Sequence, residues 1–377
     1  MPLYGLTLLC ILNHAAFNGS RVAVSLFAIR LHASPATIGT MMALYGLLPM
    51  LFAVSTGRFI DRVGTRVPML AGSALVAVGM IIPFAWRDLA ALYVASGLIG
   101  LAFMVQQVAV QNVVGYIGRP EDRPRNFSML SLGFSIGSLI GPLIAGFGID
   151  WFGHRNTFLL LALLPLAPVA VLTLDRLPLP RVRPTGTRFA SSRIIDLLRH
   201  RDLRRIFIVS GLVAAGWDLF SFMMPIYGSR IGLSASLIGL IMGAFAAATL
   251  LIRISLPFLS RRLTAWRLLK WAMVLSGATF VLFPLVQNIL LLMVLAFALG
   301  LALGGTQPMV MTLLHDAVPA GRTGAAVGLR TAMINGSQTA MPLIFGGLGS
   351  VFGVTPVFWA AAACMIVGGR LFRNRKS

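Results

Sequence analysis

A few polar side chains interrupt long apolar runs, and their types indicate what chemistry they could do. Asp218 lies in the run AAGWDLFSF and is the only acid near the centre of any such run. A buried carboxylate can bind and release a proton or pair with a cation. Arg21 and Arg330, also inside apolar runs, are the candidate cations. Because ionisable groups are costly in an apolar medium without a partner or a cavity, we expect these three residues to be functional.

Other polar residues could join them. His14, Asn18 and Arg21 are spaced i, i+4, i+7 and therefore share one face of a helix. Further candidates for a polar cavity are Gln107, Trp217, Gln307, Arg330 and Asn335. His14 and Trp217 fit helix packing better than proton transfer or substrate stacking. Arg253 is expected to extend its side chain to the nearer membrane surface, outside the site.

The elements that position these residues are predicted to be membrane-spanning helices. Hydrophobic residues make up 58% of the chain and charged residues 11%, with a mean hydropathy of +0.88. Soluble domains carry about 25% charged residues, so the chain is read as an all-α membrane protein. Apolar runs long enough to cross a bilayer recur twelve times. They are expected at about residues 4–30, 36–56, 68–86, 90–115, 126–149, 155–174, 205–229, 234–257, 267–286, 289–314, 325–349 and 354–372.

The chain divides into two similar halves. A shift of 200 residues aligns Arg30 with Arg230 and Pro142 with Pro342, and the same register persists across many other positions. Such a repeat predicts two equivalent six-helix bundles, residues 1–174 and 205–377. The same shift pairs Asn18 with Asp218 and Gln107 with Gln307, which places each pair at a similar depth.

Residues 175–204, rich in Pro and Arg, are the predicted cytoplasmic linker between the bundles. Apolar residues at helical spacing and a basic face within 191–205 suggest a helix lying on the membrane surface.

The net charge of +21 reflects topology. Of the 31 Lys and Arg residues, 24 fall in even-numbered loops, the linker and the C-terminal tail, 4 in odd-numbered loops and 3 inside spans. This asymmetry predicts that the even loops and both termini are cytoplasmic, and it argues against nucleic-acid binding.

Cys10 and Cys364 suggest neither a disulfide framework nor a metal site. No cofactor motif is found, and the N-terminus is read as a retained first span.

One polar motif resembles a known family. The stretch GRFIDRVGTR resembles the loop motif G-x-L-x-D-R-x-G-R-[RK] of the major facilitator superfamily, between its second and third helices. The matching residues are Gly57, Asp61, Arg62, Gly64 and Arg66. The resemblance implies a cytoplasmic latch in which the Asp61 carboxylate meets an Arg and a helix N-terminus of the opposite half. A basic loop that only fixes topology is the alternative. The second half has Arg261 where Asp61 stands.

A second motif lies in the predicted fifth helix. GFSIGSLIGPLIAG resembles the family's antiporter motif G-x-x-x-G-P-x-x-G-G, which goes with exporters. The residues that carry it are Gly137, Gly141, Pro142 and Gly146. Packing of small residues between helices is the alternative. The family's fourth-helix Arg motif is absent, and Gln106, Gln107 and Gln111 occupy that region.

The resemblance implies a secondary active transporter, not an enzyme, that works by alternating access around a cavity lined by helices 1, 4, 7 and 10. We predict proton-coupled efflux of a small organic molecule, as in the drug and metabolite efflux branch, by a monomer in a bacterial inner membrane. Asp218 would be the coupling residue and Arg21 or Arg330 its alternating partner. The alternative, which we weight equally, is that Asp218 and an arginine form a permanent structural ion pair with no role in coupling.

The alternative function is an importer or exchanger of an organic anion clamped by Arg21 and Arg330. Two arginines against one aspartate favour an anionic or zwitterionic solute in the cavity. The partners expected are this solute, protons and the lipid bilayer, with no metal. A membrane receptor or enzyme without transport is a third class, and no nucleophile–base set supports it.

Overall fold

The computed structural model describes residues 2–175, 200–259, 264–318 and 323–370. Helices are the regular elements of this described part, and we number them α1 to α12 after the predicted spans. Nine are uninterrupted: α1 Pro2–Arg30, α2 Pro35–Val63, α3 Arg66–Ala85, α4 Leu89–Val114, α7 Arg201–Arg230, α8 Ala235–Leu259, α9 Ala265–Leu282, α11 Thr323–Phe352 and α12 Val354–Arg370.

The other three helices contain or adjoin a break. The stretch Arg123–Thr173 is broken at Gly153, whose φ of 80° suits a glycine, and its two arms are α5 (123–152) and α6 (154–173). Helix α10 runs Ile289–Gly304 and continues, after Gly305, as Thr306–Ala317. The break in α10 leaves backbone carbonyls free for other donors.

Eight helical stretches of the described residues are long and apolar enough to cross a membrane, and one of them, Arg125–Thr173, contains both α5 and α6. The apolar part of α12, Val354–Gly369, is slightly shorter. The prediction of an all-α membrane protein is confirmed.

Two helices extend beyond the spans that hydropathy predicts. The span predicted to end at residue 56 continues as helix to Val63, and the turn to α3 is made by Gly64 at φ 82°. Hydropathy senses where a helix leaves the apolar layer, whereas backbone hydrogen bonds continue past that point. Helix α7 likewise begins at Arg201, four residues before the predicted span 205–229.

The predicted surface helix 191–205 is only partly within the described residues. Residues 176–199 lie outside them, and residues 201–205 belong to the first turns of α7.

The two halves meet along α5 with α8 and α2 with α11, which are equivalent pairs under the repeat. A Cβ on Gly239 of α8 would lie 2.6 Å from the Pro142 carbonyl oxygen and 3.3 Å from the Gly146 Cα. A Cβ on Gly39 of α2 would lie 3.3 Å from the Gly346 Cα. The helices therefore cross with almost no space between their backbones, as small residues permit.

These crossings lie toward the ends where α2 and α8 begin, which we call the outer face. We call the opposite ends the basic face, because most Lys and Arg residues lie there. Asp150 at the end of α5 accepts hydrogen bonds from the backbone nitrogens of Ala235 (3.2 Å) and Ser236 (2.8 Å) and from the Ser236 hydroxyl. A carboxylate at a helix N-terminus is stabilising. Asp150 therefore caps α8 across the interface between the halves.

The equivalent position on the other side of the molecule makes a similar but uncharged contact. Ser350 Oγ on α11 accepts a hydrogen bond of 2.9 Å from the Ala36 nitrogen at the start of α2. Beside Asp150 is a cavity of about 530 Å³, to which Arg30, His32 and His154 also contribute. The outer face is thus closed by two related contacts, of which one is charged.

Candidate functional site

Asp218 is buried in α7, with 3% of its surface exposed. Its carboxylate accepts a hydrogen bond of 2.9 Å from Ser337 Oγ on α11. Arg21 on α1, in the other half, is the cation whose charge acts on it. Among the described side chains, no Lys or Arg nitrogen lies within 4 Å of this carboxylate. Asp218 is therefore held by a neutral donor from its own half and faces a cation of the other half without a direct ion pair.

His14 lies in a cluster of aromatic side chains between α1, α4 and α5. Its Nε2 is 3.1 Å from Ser138 Oγ, and its ring stacks on Phe134 with centroids 5.0 Å apart. Phe103 is 5.4 Å away, also between centroids. The buried Nδ1 has no hydrogen-bond partner within the described part of the chain. The geometry fits a packed histidine with one anchoring hydrogen bond.

Arg330 is brought to α10 and not to Asp218. It is 7% exposed, its Nη2 donates to Gln307 Oε1, and its Nη1 lies 3.5 Å from Met311 Sδ. Its buried Nε has no partner among the described residues. The proposed role of Arg330 as partner of Asp218 is therefore not what this conformation presents.

Arg253 does not extend to the membrane surface as the sequence suggested. Its Nη1 donates to Ser135 Oγ on α5 at 2.6 Å, and its Nε donates to the Gly304 carbonyl on α10 at 3.3 Å. It crosses the interface between the halves and its charge acts on His14. Hydropathy places Arg253 near the end of α8, but the direction of its side chain depends on neighbours that hydropathy does not reveal.

The remaining cavity candidates are mostly half-buried. Asn18 donates to the His14 carbonyl at 2.9 Å on its own helix, and Trp217 packs edge-on against Phe245 at 4.8 Å between ring centroids. Gln107 and Asn335 are also half-buried, and the Asn335 carbonyl accepts a hydrogen bond from Thr339 at 3.1 Å. Of the sequence-predicted candidates, the structure joins Arg330 with Gln307 and Asn18 with His14 by hydrogen bonds.

The motif GRFIDRVGTR occupies the end of α2 and the turn after it. A Cβ at Gly57 or Gly64 would meet no atom within 4 Å, and Arg62 is exposed. Arg66 forms an ion pair of 2.5 Å with Asp175 and also donates to the Leu172 carbonyl, both at the end of α6 in the same half. The Asp61 side chain lies outside what the structure describes, so its predicted latch stays a prediction.

The second motif makes contacts on two sides of α5. A Cβ at Gly137 would lie 2.8 Å from the His14 Cβ, and one at Gly141 would lie 2.8 Å from the Gly19 nitrogen, both on α1. Gly146 instead faces Ala235 and Gly239 of α8. Pro142 contributes its carbonyl to the same crossing. The motif therefore packs α5 within its own half and against the other half.

Sequence reasoning missed Ser337, Ser138 and the inward direction of Arg253. The repeat contained a signal for Ser337, because the 200-residue shift pairs it with Gly137. Gly137 lies on the face of α5 that contacts α1, so Ser337 should lie on the face of α11 that contacts α7. Serines carry little hydropathy signal, so hydropathy alone does not single out this residue.

Two packed helical bundles that bury charged groups are a common architecture of membrane transporters. The family model described as Major Facilitator Superfamily matches residues 6–287 and 206–376. The chain belongs to the major facilitator superfamily, and it is accordingly a multi-pass secondary transporter of small molecules and not an enzyme.

Individual relatives are distant but cover most of the chain. The tetracycline resistance protein, class G, of Vibrio anguillarum is 27% identical over 82% of this chain and 80% of its own length. Multidrug resistance protein 1 of Bacillus subtilis (strain 168) is 23% identical over 90% of this chain and 87% of its own. The crystal structure of a point mutant of the nucleoside transporter NupG has a TM-score of 0.82 at 15% identity, with 99% of each chain covered. That structural likeness shows the fold alone.

Proposed function

We propose that the protein exports a small organic molecule in exchange for protons, with Asp218 as the proton-binding residue. Two relatives named for drug resistance support export. The contacts of Asp218 support its role. Its hydrogen bond to Ser337 lies within one half, whereas the charge that acts on it belongs to Arg21 in the other half.

This difference gives a physical mechanism for coupling. Rocking of the two halves as rigid bodies would preserve the Asp218–Ser337 bond and change the distance from Asp218 to Arg21. The proton affinity of a carboxylate depends on the distance to a nearby cation. Asp218 would therefore bind a proton more readily in one conformation than in the other, as exchange across a membrane requires.

The proposed direction of solute transport is out of the cell. It assumes the predicted topology, in which the basic face lies in the cytoplasm of a bacterial cell, and a protein that acts as a monomer. The closed outer face described above then corresponds to a conformation that receives solute from the cytoplasm. Opening of the outer face would release the solute and admit a proton to Asp218.

The alternative function is import or exchange of an organic anion without protons. The observation that favours it is the absence of a carboxylate within 4 Å of Arg253 or Arg330 among the described side chains. The two functions differ in what drives net transport, and a pH gradient separates them.

The test uses proteoliposomes that contain the pH indicator pyranine. A panel of organic anions, zwitterions and neutral drugs is added with and without an imposed pH gradient. The proposal expects at least one solute to produce a proton flux that depends on the protein. Solute flux that is insensitive to the gradient would support the anion exchanger, and binding without any flux would contradict transport.

A further inference from the structure

Two arginines, Arg330 buried and Arg253 partly buried, contact neighbouring residues of α10. Arg253 on α8 donates to the Gly304 carbonyl, and Arg330 on α11 donates to the Gln307 side chain three residues later. The turn between them contains Gly305, where the helix is broken. Helices α8 and α11 thus each direct a guanidinium group to this stretch of α10, Arg253 to a backbone carbonyl and Arg330 to a side chain.

This cluster has an excess of positive charge. The partners of the two guanidinium groups are a hydroxyl, a carbonyl, an amide oxygen and a thioether, all uncharged. The one ion pair among the described side chains is Arg66–Asp175, near the basic face. Buried cations without an anion are costly, so a counter-charge is expected to come from a ligand.

The cluster also has hydrogen-bonding capacity left over. The Arg330 side chain is more than nine-tenths buried, and its Nε has no partner among the described residues. A guanidinium presents donors in a planar fork that matches the oxygens of a carboxylate or phosphate. The missing partner is therefore an acceptor, and the charge calls for an anionic one.

We propose that Arg253 and Arg330 form an oxyanion-binding subsite for the transported solute, which would be an organic carboxylate or phosphate. The subsite deepens the proposed transport function and rests on it only for the identity of the ligand as cargo. Ser337, the residue that holds Asp218, is seven residues from Arg330 on α11, or about 10 Å along the helix. The anionic group and the proton would therefore bind at separate places on one helix face.

The experiment measures ligand-induced stabilisation of the purified full chain through the fluorescence of its six tryptophans. The probes are acetate, benzoate and phenyl phosphate, each compared with its neutral counterpart acetamide, benzamide or phenol at equal ionic strength. At least one anion should raise the unfolding temperature, and its neutral counterpart should not. If none of the anions stabilises the wild type more than its counterpart, the proposal is overturned.

Variants locate the effect. Arg330→Gln and Arg253→Gln should each lower the affinity for the stabilising anion about 10-fold or more, since hydrogen bonds to charged groups are worth about 1.5–3 kcal/mol. Arg330→Lys keeps the charge and loses the fork, so its affinity should be intermediate. Arg58→Gln, at an exposed arginine near the end of α2, is the matched control and should bind as the wild type does.

Equal anion binding in Arg330→Gln, Arg253→Gln and Arg58→Gln would contradict the subsite. Each variant is first checked for monodispersity, and Arg330→Lys keeps the test valid if a Gln variant does not fold. The outcome is independent of the role of Asp218, because proton-driven flux in proteoliposomes can persist or fail regardless of which group binds the anion.

Discussion

Ser337 on α11 donates a hydrogen bond of 2.9 Å to the carboxylate of Asp218 on α7. Both residues belong to the second half, and the bond is buried. Arg21, the cation whose charge acts on Asp218, belongs to the first half. A fixed neutral donor and a cation on the opposite bundle give the aspartate surroundings that depend on how the two halves are arranged.

The bond should contribute measurably to stability. Ser337→Ala is expected to reduce the free energy of unfolding by about 0.5–2 kcal/mol, the range for hydrogen bonds between membrane helices. In an Asp218→Asn background the cost of Ser337→Ala should be smaller, because the charged acceptor is gone. Thermal unfolding of the four proteins measures this cycle. Thr339→Val, which removes a hydroxyl that bonds its own helix, is the control.

A strictly additive cycle would mean that the two side chains do not depend on each other. Additivity would contradict a stabilising hydrogen bond between Ser337 and Asp218, whatever the single variants show.

Arg21 and Asp218 should be coupled across the two halves. Arg21→Gln leaves the buried aspartate without its opposite charge, so we expect loss of folded protein and of transport. Adding Asp218→Asn should restore folding, with an interaction free energy of about 0.5–3 kcal/mol. It should not restore proton-driven transport. Yield after size-exclusion chromatography and flux in proteoliposomes are the two measurements.

This comparison separates two roles for the pair. If the double variant regained proton-driven transport, Asp218 and Arg21 would be a structural pair only, and another group would carry the proton.

The cap that Asp150 provides to α8 should hold the outer face closed. Asp150→Ala removes an N-terminal cap worth about 0.5–2 kcal/mol, so the population with an open outer face should grow. Spin labels at Arg87→Cys and Gln287→Cys, which are exposed and on opposite halves, report the opening as a longer distance. The labels require Cys10 and Cys364 to be replaced first. The distance is read by pulsed electron resonance.

Asp88→Ala is the control for that experiment. Asp88 is an exposed acid that precedes α4 but makes no side-chain cap bond. If Asp150→Ala and Asp88→Ala gave the same distance distribution, the cap would not control the outer face.

Close packing at the crossing of α5 and α8 should be sensitive to one methyl group. A Cβ at Gly146 would collide with the Ala235 carbonyl, so Gly146→Ala is expected to destabilise the closed outer face by about 1–3 kcal/mol. Gly347→Ala is a control, since its Cβ would meet no atom within 4 Å. The change is measured as a lower unfolding temperature and as opening between the outer-face spin labels. An equal response of the two variants would contradict the close crossing.

The sequence predicted the fold well because a bilayer imposes a strong and simple constraint. Apolar length, the asymmetry of Arg and Lys, and the 200-residue repeat each depend on the membrane or on symmetry, and together they predicted the all-helical, twelve-span fold. Helix ends in water obey other rules. Gly57 to Val63 continue α2 because their backbone hydrogen bonds remain available outside the apolar layer.

The candidate site was harder to predict. Hydropathy indicates how deep in the membrane a residue lies, but it does not indicate the direction of its side chain. Asp218 was recognised as a buried charge, whereas its donor Ser337 has no distinguishing hydropathy. Arg253 lies at a depth from which it could reach the surface, yet Ser135 and Gly304 hold it inside. Such choices depend on which helix faces meet.

The most direct test of the account is to separate driven transport from exchange at Asp218. The solute that gives the largest proton signal is loaded into proteoliposomes of the wild type, Asp218→Asn and the control Asp88→Asn. We predict that Asp218→Asn loses transport driven by a pH gradient and retains exchange of labelled for unlabelled solute, while Asp88→Asn retains both. Gradient-driven transport by Asp218→Asn at the wild-type rate would contradict the account.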